Sequence, residues 1–202
     1  YGNGFVERAL GEIYGGKALL KINTKFGNDK DGKKDFTVSS LRRSLESSLE
    51  DMKMTSINTL FLHNPRNEIS EFESIEKLMA DLKSEKLIKY SGISVAKGFH
   101  YENLPDFDAV QFDCNLLYLK DLEKYKEKYR QTFVRSPLAT GILSGRLSND
   151  SRFPAEDHRS EWLIGDRLSY IVSRVAKINR IKGDSSLPSV ARKFLFQNNI
   201  RY

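Results

Sequence analysis

Short apolar runs alternate with amphipathic stretches along almost the whole chain, and this alternation limits the possible folds more than any other feature. Ala18-Leu19-Leu20-Lys21-Ile22-Asn23-Thr24 reads as a strand. After a polar loop, Val38, Leu41, Leu45, Leu49 and Met52 recur at helical spacing, with Thr37 placed as an N-cap. Ile57 to Leu62 is a second strand, closed by His63-Asn64-Pro65. Ser70-Glu71-Phe72-Glu73 has the pattern of a capping box and opens a helix whose apolar face is Phe72, Ile75, Leu78, Met79 and Leu82. Leu87–Ser94, Ala109–Phe112 and Gln131–Arg135 read as three more strands, and Leu119–Tyr129 as a charged helix. Residues 147–161 show no clear period and read as a long surface excursion. One helix follows through Leu168, Ile171, Val172, Val175 and Ile178, and another begins at Pro188; Asn199–Tyr202 resembles the start of a further strand.

Repeated strand–helix units require a parallel sheet covered by helices. Two closures satisfy that rule, an open doubly wound sheet or a (β/α)8 barrel. A doubly wound dinucleotide domain carries Gly-x-Gly-x-x-Gly after its first strand. Here Gly2-Asn3-Gly4 lacks the third glycine and has no strand before it. In a barrel, functional residues gather at the carboxyl ends of many strands. Lys25, His63, Ser94 and Ser136 fall at such positions, so the barrel is the favoured closure.

Composition narrows the function classes. The formal net charge is +6 over 202 residues, but the basic residues are interleaved with acids, as in Asp121-Leu122-Glu123-Lys124-Tyr125-Lys126-Glu127-Lys128. That is a solvated helix face, not a nucleic-acid surface. No apolar stretch reaches the roughly 18 residues of a membrane span. The one cysteine, Cys114, suits a reducing, cytoplasmic setting and reads as a small buried hydrophobe. No His, Cys, Asp and Glu spacing suggests a metal site. His100 and His158 read as surface residues without partners, and Trp162 as core or pocket wall.

The candidate chemistry lies in Tyr1, Lys25 and His63. A phenol, with an ordinary pKa of about 10, is a poor acid at neutral pH. A nearby ammonium stabilises the phenolate, so the hydroxyl can give its proton to a developing alkoxide. An imidazole on the next strand can hydrogen-bond the same oxygen.

At these residues the chain resembles the aldo-keto reductase family. Tyr1–Gly11 is similar to the segment with the family's catalytic tyrosine, Thr24-Lys25 to that with its lysine, and Leu62-His63 to that with its histidine. Gly92-Ile93-Ser94 and Val110–Asn115 resemble its fifth and sixth strands, and Ser136–Arg146 the loop that cradles the cofactor pyrophosphate. The resemblance covers nearly the whole chain, in order and with matching spacing.

What it implies is an incomplete (β/α)8 barrel, strands 3–7 plus stubs of 2 and 8, working as an NAD(P)H-dependent reductase of a small aldehyde or ketone. Tyr1 would be the general acid, Lys25 would lower its pKa and His63 would orient the carbonyl. Ser94 and Gln111 would hold the nicotinamide, with Arg135 beside it. In the loop, Ser136, Pro137, Leu138, Gly141, Leu143, Gly145 and Arg146 would take the phosphates through backbone N–H groups, close approach and a terminal cation. NADPH is the expected cofactor, with NADH as the alternative. Val95 stands where many members have asparagine, which removes one amide-binding side chain. On this resemblance the catalytic aspartate precedes Tyr1 and the 2′-phosphate segment follows Tyr202, so the 202 residues alone are not expected to make a stable, active enzyme. The alternatives are a nucleotide-binding regulatory protein on the same fold and an inactive remnant; oligomeric state leaves no trace in the sequence.

Overall fold

The computed structural model describes residues 4–15, 17, 20–28, 32–66, 69, 72–98, 101, 103–181, 183–198 and 200. Among these, the elements run α1 (Phe5–Tyr14), β1 (Asn23–Phe26), α2 (Val38–Asp51), β2 (Ile57–His63), α3 (Phe72–Ser84), β3 (Ile88–Ser94), β4 (Ala109–Asp113), α4 (Leu122–Lys128), β5 (Gln131–Arg135), α5 (Gly165–Ile181) and α6 (Leu187–Gln197). The strands form one sheet in the order β1-β2-β3-β4-β5. The three pairings from β1 to β4 are all parallel. A doubly wound sheet reverses its order at a switch point, and this sheet does not. Sequential order is that of a (β/α)8 barrel wall, of which five strands lie among the described residues.

Local chemistry explains the elements. Thr37 caps α2 by accepting from Ser40 N at 3.3 Å, and Asp35 Oδ1 accepts from Thr37 N at 3.0 Å. Leu41 and Leu45 of α2 are buried while its serine and charged positions face out. Parallel strands covered on both faces need near-continuous apolar runs, and β2 supplies one in Leu60-Phe61-Leu62. Gly92 lies beside Phe61 in the ladder, and a Cβ there would sit 2.5 Å from Phe61 Cδ1. That missing side chain makes room for the Phe61 ring, which meets Phe133 edge to face at 5.5 Å.

The chain divides into two compact units. The first comprises residues 1–112 and 123–133, and the second residues 113–122 and 134–202. Leu41, Leu45, Leu60, Leu62, Met79, Leu82 and Ile93 are all fully buried in the first. At about 2 kcal/mol for each such side chain, this burial dominates its stability. The second is built on Ile142, Leu143, Leu163, Leu168, Val175, Leu187 and Ala191, with Leu147, Phe153 and Trp162 packed against them.

Several boundaries differ from the sequence reading. The first strand is Asn23–Phe26, so Leu20, Lys21 and Ile22 precede it and Lys25 lies inside it instead of after it; Ala18 and Leu19 lie outside the described residues. The charged helix is confined to Leu122–Lys128. The last helix starts one residue before Pro188, with Ser186 as its cap. Residues 147–161 are more than a surface excursion: Leu147 and Phe153 reach the core, and His158–Glu161 forms a 3-10 turn. His158 is exposed but not partnerless, with Asp157 at 3.8 Å and the Trp162 ring at 6.2 Å. Helix α1 was not anticipated. The proposed capping-box residues Ser70 and Glu71, the proposed surface residue His100, and all of the proposed strand start Asn199–Tyr202 except Ile200 lie outside the described residues.

Asp108 ties β3, β4 and α3 together. Its Oδ2 accepts from Ser91 N at 2.9 Å, Ser91 Oγ at 3.0 Å and Lys83 Nζ at 2.7 Å. Burial pushes its carboxyl up, but the bonds from Lys83 and Ser91 outweigh this and leave it below the ordinary value of 3.8. A carboxyl lowered on folding stabilises above its unfolded pKa, and that stabilisation is lost as pH falls through the native value. Asp108→Ala is therefore expected to cost about 2 kcal/mol in urea unfolding at neutral pH. The difference from the native protein should shrink below about pH 4. In the second unit, the buried Cys114 thiol is pushed up to about 11 by burial. Native protein should accordingly resist thiol labelling at mildly alkaline pH and be labelled fully once denatured.

Candidate functional site

The parallel ladder of the first unit brings the predicted residues to one end and one face. His63 is level with Ser94, and Ser94 with Gln111. Lys25 pairs with Phe61, two residues before His63. Side chains alternate with a period of two and paired neighbours share a face, so Lys25, His63, Ser94 and Gln111 all project to the same side. His63 and Ser94 are the last residues of β2 and β3. Tyr1, the proposed acid, lies outside the described residues.

Ser94 is wholly buried, and its hydroxyl is shared between Asn64 Oδ1 at 3.1 Å and Gln111 Oε1 at 3.2 Å. Asn64 adopts a left-handed conformation (φ 50°), and its N–H donates to the Ser94 carbonyl at 2.8 Å. Two side-chain amides and one hydroxyl thus converge, a set complementary to a planar carboxamide. The buried Tyr101 hydroxyl donates to Pro65 O at 2.6 Å and accepts from Ala96 N at 2.8 Å, tying the segments that leave β2 and β3. Around His63, Asn28 Nδ2 lies 3.1 Å from Nδ1, and Lys34 Nζ donates to the His63 carbonyl at 2.6 Å.

The second unit holds the remaining predicted residues. Arg135 Nη2 donates to Asp113 Oδ2 at 2.8 Å, an ion pair with both side chains mostly buried. Asn115 holds the Ser136 carbonyl through Nδ2 at 3.1 Å. The 136–146 loop is tightly wound: Ser136, Ala139 and Thr140 have φ of 55°, 50° and 57°. Each such conformation costs about 1 kcal/mol or more for a residue with a Cβ, so the loop must be held by its own bonds. It is: the N–H groups of Ala139, Gly141, Ile142, Leu143 and Ser144 donate to loop carbonyls, and that of Arg146 to Ser144 Oγ. Those six donors are committed internally, which reduces the backbone cradle expected from the sequence. Leu138, Ile142 and Leu143 anchor the loop in the apolar core, while Ser136, Gly145 and Arg146 stay exposed. Arg159 adds a brace, forking onto Asp157 and reaching the Thr140 carbonyl at 3.4 Å. Its hydrogen bonds pull the Asp157 carboxyl down to about 2.

Sequence reasoning missed Asn28, Lys34, Asn64, Tyr101, Asp113 and Arg159. Asn64 had a local signal, since it directly follows a strand-ending histidine. Arg159 has its main partner, Asp157, only two residues before it, while the others meet theirs across loops or strands and left no spacing to read. Among the described residues no helix is long and apolar enough to cross a membrane.

Comparison with known proteins matches this architecture. In the glycerol dehydrogenase AKR11B4 from Gluconobacter oxydans, the matched region covers 96% of this chain and 65% of that one, with 21% identity and a TM-score of 0.81. For the holo form of the aldo-keto reductase AKR11C1 from Bacillus halodurans, the figures are 100%, 67%, 22% and 0.75. The chain thus spans about two thirds of the length of these structures, and the likeness is one of fold. No curated protein matches the sequence significantly. The model of the aldo/keto reductase family, however, matches residues 1–201, and the chain belongs to that family.

Proposed function

We propose that this chain carries the site of an NAD(P)H-dependent reduction of a small aldehyde or ketone. The observation behind this reading is the single row His63–Ser94–Gln111 with Lys25 on the same face, at the carboxyl end of the strands. A barrel of this family does its chemistry at that end.

When bound, a reduced nicotinamide would supply a hydride, that is a proton with its two electrons, to the carbonyl carbon. The amide and hydroxyl groups of Asn64, Ser94 and Gln111 suit its carboxamide; Asn64 supplies an amide side chain where Val95 lacks one. The protein must then give a proton to the carbonyl oxygen as negative charge builds there. Tyr1 is the proposed donor, Lys25 the cation that favours its phenolate, and His63 the hydrogen-bonding group that fixes the oxygen. Arg135, paired with Asp113, is the proposed neighbour of the cofactor. Ser136, Pro137, Leu138, Gly141, Leu143, Gly145 and Arg146 form the proposed phosphate loop. With six of its N–H groups already engaged, the exposed Ser136 hydroxyl and Arg146 guanidinium carry more of that contact than the backbone.

The test is NADPH oxidation, followed by absorbance in the purified native protein against a panel of aldehydes and ketones, with NADH alongside. Tyr1→Phe is expected to lower kcat by about 100-fold or more while the nucleotide Kd stays unchanged, and Lys25→Met to act in the same direction. Tight nucleotide binding with no oxidation by any carbonyl would replace this reading with the regulatory, nucleotide-binding one.

A further inference from the structure

Asn28 and Lys34, in the described parts of the segment between β1 and α2, form a clasp whose two side chains both end on His63. Asn28 and Lys34 form an isolated antiparallel bridge. From it, Asn28 Nδ2 reaches His63 Nδ1 at 3.1 Å, and Lys34 Nζ reaches the His63 carbonyl oxygen at 2.6 Å. The base of the clasp is firmly seated. Phe36 is 7% exposed and packs edge-on against Phe26 at 5.7 Å, with the Lys34 ammonium 5.6 Å from the Phe36 ring centre. Asp35 N donates to the Gly27 carbonyl at 3.3 Å. Gly27 sits at φ 111°, and a Cβ there would lie 2.0 Å from the Phe36 ring. Only glycine both takes that conformation and lets the phenyl ring close the base.

The chemistry of the Asn28 contact is asymmetric. An amide NH2 donates and cannot accept, so the imidazole nitrogen facing it must carry a lone pair. In a neutral ring, the proton is then on Nε2. The Lys34 contact acts on a different atom of the same residue and pins the backbone at the end of β2, from which the ring projects.

We propose that the Asn28–Lys34 clasp is a positioning device for His63. Asn28 selects the tautomer with the proton on Nε2 and Lys34 fixes the strand end, so the ring offers a hydrogen-bond donor to a carbonyl oxygen. The catalytic consequence rests on the reductase reading above; the tautomer itself does not.

Nitrogen NMR of protein labelled in its histidine imidazoles separates the two. The chain has three histidines, and the His63 signals are those lost in His63→Gln. At a pH where the ring is neutral, native protein should show an unprotonated Nδ1 and a protonated Nε2. Asn28→Asp replaces the donor with an acceptor of the same shape and should move the proton to Nδ1; Asn28→Ala should leave a mixture of both forms. In the same variants kcat should fall about tenfold or more with KM for NADPH unchanged. Lys34→Met should keep the tautomer and broaden the ring signals. A protonated Nδ1 in native protein, or a tautomer indifferent to Asn28→Asp in a variant whose amide spectrum remains native, overturns the proposal. If the proton moves as expected but no carbonyl is reduced by native protein, the clasp stands and the reductase reading fails. Reduction with a tautomer that ignores Asn28 means the reverse.

Discussion

The parallel register between β2, β3 and β4 is the constraint on which the rest depends. Side chains alternate across a sheet, so a slip of one residue would turn His63, Ser94 or Gln111 away from its neighbours. The register is fixed by burial on both faces. Leu60 and Leu62 point to one side and Phe61 to the other, all three essentially without solvent contact. Gly92 locks the alignment further, because Phe61 fits only opposite a residue with no side chain. The apolar middle of the ladder therefore sets the position of its polar end.

Much of this was legible in the sequence because it follows from period and order. The runs at 57–62, 87–94, 109–112 and 131–135 became β2 to β5 with small changes of boundary. Thr37 caps its helix as expected. What escaped was whatever depends on contacts between distant residues. Leu20 to Ile22 were read into the first strand because they continue its apolar run, whereas pairing with β2 begins at Asn23. Asn28, Lys34 and Tyr101 look like ordinary loop residues until the fold brings them to His63, Pro65 and Ala96. Residues 147–161 lack a period because their apolar side chains reach the core singly, at Leu147 and Phe153, and not along one face.

The 136–146 loop is built differently from the simplest reading of its residues. Its glycines and small residues suggest a backbone cradle. In the fold, several N–H groups instead close the loop's own turns and support three non-glycine residues at positive φ. Such self-sufficiency fits a preorganised surface, since a loop already held in shape loses little entropy when it meets a ligand. Leu143, wholly buried, anchors that shape to the apolar core.

Titrating the isotope-labelled native protein with NADPH, and reading the backbone amide shifts residue by residue, tests the central claim most directly. The account predicts saturable shifts at His63, Ser94 and Gln111, with Ile57 and Ile88 at the opposite ends of β2 and β3 unmoved. Shifts confined to those opposite ends, or no saturable shift at the His63–Ser94–Gln111 row, would contradict it.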